Sequence, residues 1–263
     1  MDYAIDTHCH LTAIDKREIK AVIERAVKAK VKKLISVACN LEEMGQCLPL
    51  ADEYDFIWTS AGIHPTELGE NIEQDLEKVY KYAENEKKVV AIGEIGLDYY
   101  HDRFPHELQM AYLAGQFNIA NKLKKPAIIH SRAGKFAGEN SSVFPDMIRV
   151  MKESDLKKGV MHCYSGTLKE AKVFLDMGLM ISFTGIITYE RNQELRDIIK
   201  MMPMKRMMIE TDSPFLPPKN HKGEQNEPAF VIEVAKTIAE VRGMEVDEVL
   251  NITSRNAEGF FGI

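Results

Sequence analysis

The sequence predicts a single-domain (β/α)8 TIM barrel over residues 1–263, and three observations carry that expectation. Short apolar or β-branched runs alternate with longer amphipathic stretches along the whole chain. Such alternation builds βα units on a parallel sheet. Eight runs occur in 263 residues, close to the roughly 250 typical of a closed barrel. Loops after the runs are rich in Gly, Pro, Ser and charge, as suits the C-terminal mouth where barrel active sites are built. A doubly wound open sheet uses the same alternation and stands as the alternative.

Taken in order, the expected strands are "YAID" (3–6), "KLISVA" (33–38), "IWTSAG" (57–62), "VVAIGEIG" (89–96), "AIIH" (127–130), "GVMHCY" (159–164), "LMISFTG" (179–185) and "RMMIET" (206–211). Helical patterns cover 16–31, 42–53, 72–86, 106–124, 143–156, 167–177, 192–201, 228–242 and 245–259. The loop after residue 211 contains four prolines, at 214, 217, 218 and 228, which stiffen it. Hydrophobic residues make up 45% of the chain and charged residues 28%, a profile that excludes a disordered or fibrous chain. No apolar run approaches the roughly 20 residues that cross a bilayer. The opening "MDYAIDTHCHL" lacks the features of a secretory leader, so the expected location is cytoplasmic. The formal charge of -6 disfavours broad adhesion to nucleic acid but leaves room for a phosphodiester gripped by local cations and metal. Cys9, Cys39, Cys47 and Cys163 show no CxxC spacing, so a disulfide framework is not expected.

The chemistry begins with "IDTHCHL", residues 5–11. Alternate strand residues share a face, so His8 and His10 point together and Cys9 points away, packing as a small apolar residue. By itself the HxH pair divides evenly between a metal site and a polar loop. Recurrence raises the odds: Glu94 and His162 fall near the end of an expected strand, His130 at the end of one and Asp212 just beyond another. Imidazole and carboxylate suit zinc, manganese and related ions. Four histidines and two carboxylates exceed the needs of one tetrahedral site, whereas two ions sharing a carboxylate use them all. Neither GxSxG nor GxxxxGK[ST] is present, so metal-assisted hydrolysis is the chemistry left.

Together "DTHCHL", "GIHP", "IGEIGLDYY", "IIHSR", "HCYSG", "ETDSPFL" and "NEP" resemble the TatD-related metal-dependent deoxyribonucleases of the amidohydrolase superfamily, from Asp6 to about Phe261. The resemblance implies a (β/α)8 barrel that hydrolyses DNA phosphodiesters, often from an end and on single strands. It implies two divalent ions (zinc, magnesium or manganese). His8, His10 and Asp212 would hold the first, His130 and His162 the second, and Glu94 would bridge them. Asp212 would also orient or deprotonate the attacking water. His64 would touch substrate or brace the turn before Pro65, and Arg132 would meet a phosphate or an ordinary surface acid. The chain departs from the family pattern at Ala133, which follows "HSR", and at Gln225, which precedes "NEP". Both departures bear on substrate choice. Tyr164 replaces the family's common phenylalanine conservatively.

The remaining polar residues carry lesser expectations. Asp6 and Glu210 each precede a ligand by two positions and would hydrogen-bond a ligand imidazole or another buried partner. Cys163 should face away from His162. His101, His106 and His221 read as surface more than substrate contacts. The methionines at 201, 202, 204, 207 and 208 read as adaptable packing. Arg103, Lys135, Lys219 and Lys222 would steer a nucleic-acid backbone or be plain surface charge. Tyr99, Tyr100 and Phe215 are the candidate base-stacking platforms. Two rival functions remain: an amide, ester or lactone hydrolase using the same ions, and a noncatalytic binding protein.

Overall fold

The computed structural model describes residues 3–135 and 142–263; the stretch 136–141 of the segment "GKFAGENSS" lies outside the described residues. All eight expected strands and all nine expected helices form. In chain order they are β1 (Ala4–Cys9), α1 (Ile19–Lys28), β2 (Val31–Ser36), α2 (Leu41–Glu53), β3 (Ile57–Ala61), α3 (Ile72–Asn85), β4 (Val89–Asp98), α4 (His106–Leu123) and β5 (Ala127–Arg132). Then follow α5 (Phe144–Glu153), β6 (Gly159–Met161), α6 (Leu168–Asp176), β7 (Met180–Phe183), α7 (Gln193–Met201), β8 (Met207–Ile209), α8 (Val231–Arg242) and α9 (Val246–Phe261). The eight strands form one sheet in sequence order. Among the described residues no helix is long and apolar enough to cross a membrane.

Helix ends follow local chemistry. Asn71 caps α3 by accepting from the Gln74 amide, and Thr167 with Glu170 makes a capping box on α6. Gly243 and Gly262 end α8 and α9 with φ of 62° and 75°, a conformation glycine adopts without steric cost. Strand ends differ more from expectation. β4 continues two residues further, to Asp98, whereas β6 stops at Met161 and β8 at Ile209. Cys163, inside the expected β6, takes a left-handed conformation with φ of 43°, and Asp212, just past the expected β8, does so with φ of 59°; no extended strand accommodates either.

The chain divides into two compact units, Met1–Ser36 with Tyr54–Trp58 and Cys163–Ile263, and Val37–Glu53 with Thr59–His162. In the first, β1 pairs parallel with β2 and β7 with β8. The segment beyond β8 runs alongside β1: Asp212 N donates to His8 O at 2.9 Å and His10 N to Ser213 O at 2.7 Å. Ile5, Leu34, Ile35 and Phe183 are fully buried there. In the second unit, β3 to β6 pair parallel in succession, and every residue of β4 is buried. Two buried glutamines of α4 tie it to the end of β4 and to the chain just past β3. Gln109 accepts from Asp98 N at 2.8 Å and Gln116 from Ile63 N at 2.7 Å, satisfying amides that burial would otherwise leave unpaired.

Gly96 shows how tightly this unit is built. It lies opposite His130 in the β4–β5 register, and a Cβ there would sit 2.0 Å from the His130 carbonyl oxygen. Gly96→Ala must push the two strands apart, an overpacking cost of about 1–3 kcal/mol. Thermal unfolding should show a midpoint several degrees lower; an unchanged midpoint would show that the strand pair yields freely.

Candidate metal centre

In the first unit the period-two expectation holds. β1 sends His8 and His10 to one side, their Nε2 atoms 3.0 Å apart and their rings edge to face. Cys9 is buried on the other side, with Sγ directed to Ile35 O at 3.4 Å. The left-handed turn at Asp212 brings its Oδ1 to 3.3 Å from His10 Nε2 and 3.7 Å from His8 Nε2. Metal–ligand bonds of about 2.0–2.2 Å in a tetrahedron place donor atoms roughly 3.3 Å from one another. The three separations bracket that value, and His8 is 0% exposed. The donor set thus fits a divalent cation.

Neighbouring side chains hold the backbone around these donors. Asp6 accepts from His8 N at 3.3 Å and Thr211 N at 2.9 Å, and from the Thr211 hydroxyl at 2.6 Å. Of the two expectations for Asp6, a ligand imidazole or another buried partner, the structure gives the second: its short side chain meets the adjoining backbone and the Thr211 hydroxyl. Burial pushes its carboxyl up to about 8, against those hydrogen bonds. Glu210 accepts from Cys163 N at 2.6 Å and from the Thr7 hydroxyl at 3.3 Å. The side-chain amide of Asn226, in "NEP", donates to Thr211 O and Phe215 O, drawing the stiff loop around Asp212.

The second unit assembles the other donors around Glu94. Its Oε1 lies 3.0 Å from His130 Nδ1, 3.4 Å from His162 Nε2 and 3.6 Å from His64 Nε2. Cys39 Sγ approaches Oε2 at 3.8 Å. One carboxylate oxygen facing three imidazoles, almost wholly buried, again matches the chemistry of a divalent site. His64 is anchored from its own turn: Nδ1 lies 2.7 Å from the Thr66 hydroxyl and 3.2 Å from the Thr66 backbone nitrogen. That leaves Nε2 facing Glu94 as a further candidate donor.

Asp98 is the functional residue that sequence reasoning missed. Its Oδ2 lies 3.2 Å from His130 Nε2 and 2.8 Å from His101 Nδ1, while Oδ1 accepts from the Tyr100 and His101 amides, both at 2.9 Å. Burial raises its pKa, but hydrogen bonds from His130 and His101 outweigh that and hold the carboxyl well below the usual range. Burial likewise lowers the pKa of His130, and hydrogen bonds to Asp98 and Glu94 reverse the shift upward. A carboxylate behind a ligand histidine fixes its tautomer and orientation, here presenting Nδ1 toward Glu94. A signal existed in the sequence: Glu94, Gly96 and Asp98 share one face of a strand that runs two residues past its expected end. Asp98→Ala should weaken metal binding about 10–100-fold, measured by competition with a chromogenic chelator; unchanged affinity would remove Asp98 from this role.

Other candidates sort cleanly. Tyr99 is buried, its hydroxyl on Asp146 at 2.8 Å and its ring stacked on His106, which corrects its place among the stacking platforms. Phe215 is 52% exposed with its ring 5.8 Å from that of His10, as a platform requires. Arg103 pairs with Glu67 and Lys219 with Glu190, while His221 stacks on Phe230. Cys163 Sγ contacts the Thr184 hydroxyl at 3.4 Å. Met202, Met207 and Met208 are buried as expected, but Met201 is exposed. Arg132 is exposed and lies over the Tyr100 ring.

Eight βα units, several of them carrying imidazole or carboxylate groups near their strand ends, define a metal-dependent hydrolase of (β/α)8-barrel fold. Residues 5–262 match the family model described as TatD related DNase. The chain belongs to that family. YabD of Bacillus subtilis (strain 168), named an uncharacterized metal-dependent hydrolase, is 34% identical, with 98% of each chain covered. A protein of Rahnella sp. (strain Y9602), named 3'-5' ssDNA/RNA exonuclease TatD, is 34% identical over 92% of this chain and 91% of its own. The crystal structure of YjjV, a TatD homologue of Escherichia coli K12, superposes with a TM-score of 0.90 at 31% identity, covering 99% of this chain and 98% of that one.

Proposed function

We propose that this chain is an exonuclease that releases nucleotides from an end of single-stranded DNA, acting as one catalytic domain over residues 1–263. The observation that carries the reading is the convergence of His8, His10 and Asp212 within 3.7 Å in a chain 34% identical to a protein named an ssDNA/RNA exonuclease. His8, His10 and Asp212 would hold one divalent ion, and His130 and His162 the other, with Glu94 as the shared carboxylate. Bound cations supply Lewis acidity and a water that ionises near neutral pH. The protein's own groups do the rest. Asp212 orients the attacking water and takes its proton on the carboxylate oxygen that does not face His8 and His10. His64 touches the substrate, and Arg132 pairs with phosphate in a forked geometry. Phe215 gives the terminal base a face to stack on, worth about 1–3 kcal/mol.

The test is incubation of metal-loaded protein with end-labelled single-stranded DNA, with RNA, and with chromogenic esters. Progressive release of mononucleotides from DNA is the expected result. Ester turnover with no nucleotide release would overturn the nuclease reading in favour of the carbonyl hydrolase. Binding of DNA with no turnover of either substrate class would favour the noncatalytic protein.

A further inference from the structure

Beyond the metal donors, the ends of β4 and β5 carry an arrangement that bears on which phosphate Arg132 meets. Arg132 Cζ lies 4.1 Å and Lys135 Nζ 4.7 Å from the centroid of the Tyr100 ring. Arg132 and Lys135 are exposed, and among the described residues neither makes an ion pair. Their backbone supports are firm: Tyr100 N donates to Asp98 Oδ1 at 2.9 Å, and Tyr99 N to Arg132 O at 2.9 Å. Arg132 stands opposite Asp98 in the β4–β5 register, two residues beyond His130. Two residues of strand rise by about 7 Å, on the scale of one nucleotide step.

We propose that Arg132 and Lys135, held over the face of Tyr100, clamp the phosphate one nucleotide away from the bond being hydrolysed. The inference rests on the nuclease reading and adds to it a second anionic contact. The physical argument has three parts. An aromatic face orders two long cationic side chains without neutralising them, so less freedom is lost when an anion arrives. Guanidinium presents a planar fork matched to phosphate, and the ammonium adds a mobile point charge. In a chain of net charge -6, unneutralised cations beside the site set where a polyanion approaches. Tyr100 is a positioning residue, acting through the two cations.

A charge-neutral linkage tests this directly. Metal-loaded enzyme is given tetranucleotides that differ only in a methylphosphonate at the linkage next to the scissile one, in one series for each end. The wild type should lose about 10–100-fold in kcat/KM on the series cut at its proper end, the range of a lost charge-assisted contact. The Arg132→Ala/Lys135→Ala variant should lose a similar factor on the all-phosphodiester strand and show no further loss on the neutral one. Tyr100→Phe should behave as wild type and Tyr100→Leu should fall between. Metal content and unfolding midpoint establish that each variant is folded. Wild-type indifference to the neutral linkage, or a double variant as sensitive as wild type, overturns the clamp while nucleotide release still supports the nuclease. Absence of nucleotide release from every oligonucleotide overturns both.

Discussion

Asp212→Asn should lower kcat by about 10²–10⁴-fold, the contribution of a positioned proton acceptor. Asparagine keeps the size and the left-handed turn, a conformation that Asn tolerates among non-glycine residues. What it loses is the charge and basicity of the carboxylate whose Oδ1 lies 3.3 Å from His10 Nε2. Nucleotide release per unit time, set beside metal content, separates two effects. Full metal occupancy with lost turnover assigns Asp212 to water activation. A variant that keeps more than about a tenth of wild-type turnover would remove it from that role.

Glu94→Gln should have the second large effect, on metal occupancy as well as rate. The substitution is nearly isosteric, yet it withdraws the negative charge that faces His64, His130 and His162 at 3.0–3.6 Å. Metal analysis after metal-supplemented purification should approach two ions per chain in the wild type and one or fewer in the variant. Turnover should drop with occupancy. A wild type that stays at a single ion under these conditions would contradict the shared-carboxylate arrangement, and a variant with undiminished occupancy would show that the imidazoles alone suffice.

Much of the site was legible in sequence because strands impose a strict alternation. His8, Cys9 and His10 needed only that rule, and the structure puts the two imidazoles together and the thiol behind them. Glu94, His130, His162 and Asp212 were found by their recurrence near strand ends. What escaped was anything that depended on a strand's true length or on which partner a polar side chain meets. Asp98 was read as loop because β4 was expected to stop at residue 96. Asp6 has the right parity to support an imidazole, but the amide and hydroxyl of Thr211 lie nearer. Tyr99 and Tyr100 are adjacent and chemically alike, yet one is buried against His106 and the other half-exposed beneath two cations.

The order of the elements and the face that each candidate donor occupies were legible in the amino-acid sequence, since these follow from short-range periodicity and residue type. Tertiary structure alone decided where each strand ends and which partner each buried polar side chain meets. Those outcomes turn on hydrogen bonds and charge contacts between residues tens to hundreds of positions apart. Local pattern holds no record of such neighbours.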